Sequence, residues 1–154
     1  MSVARNHAVG LALPAVLLAA FLAGLIAVPA KAEIATVKRV TGVASIERNK
    51  KPLPVVAGTK LETGDLLATG KDGRIAVTFI DDSRFSVGPN SRIHLTRFDF
   101  DDTTHQGKSE TRVERGALAV VSGQIAHENP KGMTVQTPTS VLGVRGTRFV
   151  VTVK

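Results

Sequence analysis

The sequence contains no cysteine, no tryptophan and no tyrosine. Without cysteine there can be no disulfide, no thiolate metal site and no lipid-modified anchor after an export signal. Without tryptophan or tyrosine, the flat rings that stack sugars at carbohydrate sites are missing. The three histidines beyond the N-terminal region, His94, His105 and His127, stand at no metal-ligand spacing such as HExxH. Asp99, Asp101 and Thr103 begin the spacing of a calcium loop, but Gln106-Gly107 and the lack of a terminal glutamate break it. Ser83, Ser86 and Ser91 lack the G-x-S-x-G setting, and no glycine-rich segment joins a lysine into a phosphate loop. The expectation is a protein with no catalytic residues, no metal and no cofactor.

The chain opens instead with an export pattern. Arg5 supplies a positive start, residues 8–28 form an apolar run, and Pro29-Ala30-Lys31-Ala32 offers the small residues a signal peptidase reads. Residues 1–32 are therefore read as a signal peptide cleaved between Ala32 and Glu33, with an uncleaved membrane anchor as the rival, since the run is just long enough to span. Cleavage leaves 122 residues, 33–154, enough for one domain with one core and no stable membrane span. The full chain carries a formal charge of +7, and losing Arg5 and Lys31 leaves +5. An exported basic protein, periplasmic or extracellular, does not meet nucleic acid, so its anionic neighbours are envelope lipids, wall polymers and acidic proteins.

Beyond residue 32, short apolar runs are closed by glycine, aspartate, asparagine or proline, and no run has a sustained helical period. Ile75, Val77 and Phe79 alternate with polar neighbours; Asp81-Asp82-Ser83 is a tight turn, and Phe85 and Val87 return. Parity slips between Leu95 and Phe98, which predicts a bulge near Thr96-Arg97. Ile34 to Glu47 reads as two strands about Gly42, Asn49-Lys50-Lys51-Pro52 breaks the pattern, and Lys71-Asp72-Gly73 is expected to make a hairpin. Residues 101–112 read as a mobile loop or loose hairpin, Gly116 to Val121 as a buried strand, and Gln124-Ile125 as part of another short strand. Ile75, Val77, Phe79, Phe85, Val87, Leu118, Val120, Phe149 and Val151 are the expected core. The fold class is all-β, either a twisted, solenoid-like stack of short strands or a β-sandwich.

Four segments then carry a likeness: Gly64-Asp65-Leu66-Leu67-Ala68-Thr69-Gly70, the strand starting at Gly73, Gly88-Pro89-Asn90-Ser91, and the close Thr137-Pro138 … Gly143-Val144-Arg145-Gly146-Thr147-Arg148-Phe149. Together they resemble the FecR domain, a bacterial extracytoplasmic module, over roughly residues 34–153. The resemblance implies a twisted, β-solenoid-like domain known for its place in signalling and envelope systems rather than for chemistry. In the regulators where it is best understood, such a domain relays a signal from an outer-membrane iron transporter to a cytoplasmic sigma factor. Only about seven residues precede the apolar run here and the chain ends with the VRGT strand, so the expectation is a stand-alone version of the domain.

Two readings of function follow. One is a non-catalytic exported module acting through contacts with another envelope protein; the other is an adaptor for an anionic envelope polymer or lipid. Arg145, between Gly143 and Gly146, is the residue on which structure and binding compete. The expectation favours a structural role, with its guanidinium forked into corner carbonyls or paired with Asp65 or Asp82.

Overall fold

A computed structural model describes residues 31–146 and 148–154. The start of the signal and Thr147 of the closing motif lie outside the described residues.

The chain forms strands β1 (Glu33–Thr41), β2 (Ala44–Arg48), β3 (Lys51–Pro54), β4 (Lys60–Glu62), β5 (Leu66–Thr69), β6 (Arg74–Phe79), β7 (Arg84–Val87), β8 (Arg92–Phe100) and β9 (Gly107–Val121). A one-turn helix α1 (Gln124–Glu128) and strands β10 (Met133–Gln136), β11 (Val141–Gly143) and β12 (Arg148–Val153) follow. The all-β class is as expected. The strands join in one curled sheet of order β3-β2-β5-β8-β9-β7-β6-β1-β4, with β10 and β12 also on β9 and β11 on β10. A solenoid stacks successive rungs in parallel, whereas only the β9–β10 pair is parallel among the described residues.

Three pairs of consecutive strands lie end to end rather than side by side. β1 continues into β2, β5 into β6 and β7 into β8; each composite strand pairs with the next over its whole length. The 15-residue β9 crosses unbroken, pairing with β8 through residues 107–115 and with β7 through 118–121. The four crossings fall at Gly42, residues 70–73, residues 88–91 and Gly116, which align as a crease. The crease divides the sheet into a β6 half (β4, β1, β6, β7, the end of β9, β12) and a β8 half (β3, β2, β5, β8, the start of β9, β10, β11).

Polar groups at the crease are tied across it. Gly70 N–H donates to the Val43 carbonyl at 2.8 Å, Thr69 Oγ1 donates to the Gly88 carbonyl at 2.7 Å, and Ala117 N–H donates to Ser91 Oγ at 3.0 Å. The Lys71-Asp72-Gly73 segment is thus a corner between collinear strands, not the hairpin expected. A β-carbon at Gly73 would fall on the Val43 carbonyl oxygen, so glycine is required where the two strands pass.

The inner faces of the two halves meet in one apolar core. Phe79 of β6 stacks on Phe98 of β8 with ring centroids 5.2 Å apart, and meets Phe85 of β7 at 4.5 Å in a tilted arrangement. Ile75, Val77, Phe79, Phe85, Val87, Leu118, Val120 and Val151 are buried as expected, while Phe149 is half-buried and packs on the core's margin. The slip near Thr96 is a bulge between Leu95 and Arg97.

Of the loop and hairpin readings of residues 101–112 the hairpin holds, with residues 107–112 paired to β8 as the first part of β9, the most heavily paired strand. Two further expectations are corrected. Asn49 and Lys50 both have positive φ and form the tight turn of a β2–β3 hairpin, so the pattern-breaking residues enter a strand. Gln124-Ile125 opens helix α1 rather than a strand.

Candidate functional site

Two turns of the fold, β4–β5 and β6–β7, each enclose a carboxylate. Asp65 is 1% exposed and accepts Arg48 Nε at 2.8 Å and Nη2 at 2.8 Å, as well as the Glu62 N–H at 2.9 Å. Arg48 also donates Nη1 to Glu62 Oε1 at 2.6 Å and Nη2 to the Lys60 carbonyl at 2.9 Å. Hydrogen bonding to Asp65 is the main cause that raises the Arg48 guanidinium above its ordinary pKa, against a partial loss from burial. Gly64, at φ +95°, donates its N–H to the Leu95 carbonyl, and the Asp65 carbonyl accepts Leu95 N–H. The β4–β5 turn is thereby clamped to β2 and β8. Arg48 is the guanidinium that Asp65 holds; Arg145 does not reach it. Sequence reasoning missed Arg48 because it stands at a strand end beside a turn, where an arginine is ordinarily a solvated cation.

Asp81 is a second enclosed carboxylate. It accepts the Ser83 N–H at 3.0 Å and the Ser83 hydroxyl at 2.8 Å, while Ser83 Oγ accepts Gly123 N–H at 2.9 Å. The Asp81 carbonyl accepts Gln124 N–H at 2.8 Å. This set pins the start of α1 to the β6–β7 turn and leaves no face of the carboxylate open for acid–base chemistry. Asp82, at the tip with φ +65°, accepts from Gln124 Nε2 and not from Arg145.

The closing motif is open by comparison. Thr137 Oγ1 accepts Ser140 N–H at 3.0 Å and shapes the β10–β11 turn, with Pro138 exposed at its tip. Val144 is buried and donates its N–H to the Met133 carbonyl at 2.9 Å. Gly143, Arg145 and Gly146 are exposed, and the Gly146 carbonyl accepts the Ser122 hydroxyl. A β-carbon at Gly143 or Gly146 would meet nothing within 4 Å. Arg145 thus lines, together with Phe149, a groove of about 300 Å³ between the corner and β12 rather than bracing a packed corner. Arg145→Ala is expected to keep the parent's melting behaviour, with a change within about 0.5 kcal/mol, as exposed substitutions do. A thermal melt of the two proteins side by side checks this, and a loss of several kcal/mol would return Arg145 to a structural role.

Charge is distributed unequally between the two outer faces. On the β8 half, Arg92 Nε meets Glu114 Oε2 at 3.0 Å and His94 Nε2 lies 2.8 Å from Glu114 Oε1, which hold the Glu114 carboxyl below its usual range. On the β6 half, Arg39, Arg74, Arg84 and Arg148 are all exposed, and among the described residues no carboxylate pairs with them. Arg39 and Arg74 line a recess of about 440 Å³ floored by small side chains such as Ala76, Ser86, Ala117 and Ala119, and Arg84 and Arg148 line the one adjoining it. Among the described residues no cluster of three potential metal ligands occurs.

Comparison with known proteins agrees with the likeness carried by these turns. No curated protein and no solved structure matches the chain. The family model for FecR protein matches residues 65–154. That span starts at the clamped Asp65 and includes the Asp81–Ser83 turn, the crease at residues 88–91 and the open closing motif. It covers more than half of the sequence, and the chain belongs to the FecR family, a regulatory family of envelope signalling.

Proposed function

We propose that this protein is a non-catalytic, exported module that works through contacts with another envelope protein, in signalling or as a scaffold. The observation that supports the reading is the free edge of β12. Sheet edges offer unpaired N–H and C=O groups, and folded proteins ordinarily blunt them with proline, charge or brevity. β3 is blunted by Pro52, Pro54 and Lys51, while β4 and β11 are three residues long. β12 has six residues, Arg-Phe-Val-Val-Thr-Val, without proline, and pairs on one side only among the described residues. Its Val150 is 68% exposed. A strand of a partner laid on this edge would extend the β6 half by main-chain hydrogen bonds, with side-chain pockets on either side giving selectivity. The groove lined by Arg145 and Phe149 lies beside it. Among the described residues no helix is long and apolar enough to cross a membrane.

Val150→Glu tests the reading, because it charges the edge without entering the core. The expected result is about a tenfold drop in the envelope protein that co-purifies with the chain, with folding stability altered by less than about 0.5 kcal/mol. Undiminished recovery of the partner from the glutamate variant would count against contact through this edge.

A further inference from the structure

The four arginines without a carboxylate partner among the described residues are arranged, not scattered. Strand register sets three rows across the outer face of the β6 half. The middle row runs Arg39, Ala76, Ser86, Ala119, Val150 from β1 to β12. One bank carries Arg84 and Arg148, both opposite Val121, and the other carries Arg74 opposite Thr41. None of the residues in these rows is acidic. Neighbouring strands lie about 4.8 Å apart, so the row from β1 to β12 spans roughly 19 Å, and Arg84 and Arg148 stand about 10 Å from each other. An extended peptide of about six residues covers that length.

We propose that this face is the docking site for an acidic peptide segment of the partner, one with small apolar residues between flanking carboxylates. This rests on the protein-contact reading above and names the partner's chemistry. Charge complementarity is the first argument: Arg39 and Arg74 line the recess floored by small side chains, Arg84 and Arg148 line the one adjoining it, and among the described residues none of the four has a carboxylate partner. The second is the cation type. All four are arginines, whose planar fork grips a carboxylate through two parallel hydrogen bonds, where lysine offers a point charge. The third is the floor. It has no aromatic ring on which a sugar could stack, and a recess of about 440 Å³ takes side chains that a planar layer of lipid head groups cannot insert.

The test uses the purified protein and a fluorescent peptide, Glu-Glu-Ala-Val-Ala-Glu-Glu, with its glutamine counterpart as control, read by anisotropy at low and physiological salt. Saturable binding of the acidic peptide alone is expected. The pairs Arg84→Gln with Arg148→Gln, and Arg39→Gln with Arg74→Gln, should each weaken it about tenfold. Ala119→Leu, which fills the floor, should weaken it by a similar factor of about ten. Lys50→Gln with Lys51→Gln, on the distant β2–β3 turn, should leave affinity within about twofold. Unaltered melting of the variants shows that affinity, not folding, has changed. Equal loss in the lysine control would overturn the inference, since only bulk charge would be at work. It is equally overturned if the peptide fails to bind, or if heparin or phosphatidylglycerol vesicles alone show the arginine dependence, which would assign the face to a polymer or a bilayer. If the peptide fails while Val150→Glu still releases the partner, this inference falls alone. If Val150→Glu releases nothing, the contact through β12 falls independently.

Discussion

Asp65→Ala is expected to destabilise the protein by about 3 kcal/mol, read as a lower urea midpoint with an unchanged slope. The carboxylate is enclosed and accepts three hydrogen bonds, two of them from the Arg48 fork at 2.8 Å. Removing one partner of a buried pair costs about 3–5 kcal/mol when the other is stranded. Arg48 keeps 27% of its side chain exposed and retains Glu62, so water and that second carboxylate offset part of the loss and place the expectation at the low end. For a domain whose whole stability is about 5–15 kcal/mol, the loss is large. Arg48→Lys should also destabilise, because an ammonium cannot reach Asp65, Glu62 and the Lys60 carbonyl together as the fork does. A loss below about 1 kcal/mol for Asp65→Ala would put the pair in the class of surface ion pairs.

What the sequence disclosed depended on which physical signal each segment carried. Alternation at Ile75, Val77 and Phe79 and at Phe85 and Val87 is strong because one face is wholly apolar, and those strands were legible. The parity slip at Thr96 was legible for the same reason. The start of β9 was legible only in part: its inward residues include Ser109 and Thr111, both buried, while Lys108 and Arg112 point outward. With hydroxyls on the inner face, a central strand looks like a polar loop. Corners were confused with hairpins because Gly, Asp, Asn and Pro serve both. Whether a chain turns back or continues past residues 70–73 is decided by which strands pair, and that is not local information. The same limit governed Asp65. Its need for a cation was readable, but the choice between Arg48 and Arg145 lies in the register of β2 on β5. At Arg145 the flanking glycines suggested close packing, and the structure places them in open space.

That contrast between glycines yields the second large effect. Gly116→Ala is expected to cost about 3 kcal/mol or more, combining about 1–2 for a left-handed backbone with about 1–3 for overpacking. Gly116 has φ +90°, and it is where β9 passes from one half of the sheet to the other. A β-carbon there would stand 2.5 Å from Ser91 Cα and 2.6 Å from Ser91 Cβ, so the neighbour that must give way is backbone. Ser91 is itself held: its N–H donates to Thr69 Oγ1 at 2.9 Å, and its hydroxyl accepts the Ala117 N–H at 3.0 Å. Moving it would loosen the ties between β5, β8 and β9 at the crease, and with them the angle that brings Phe79 onto Phe98. Gly143→Ala is the matched control. It adds the same methyl group where nothing lies within 4 Å and the backbone is not left-handed, so its cost should stay within about 0.5 kcal/mol. Urea unfolding of both variants, followed by far-ultraviolet circular dichroism, measures the difference. Equal stabilities would mean that the crease is not set by the glycine that crosses it, and that the packing of the two halves alone bends the sheet.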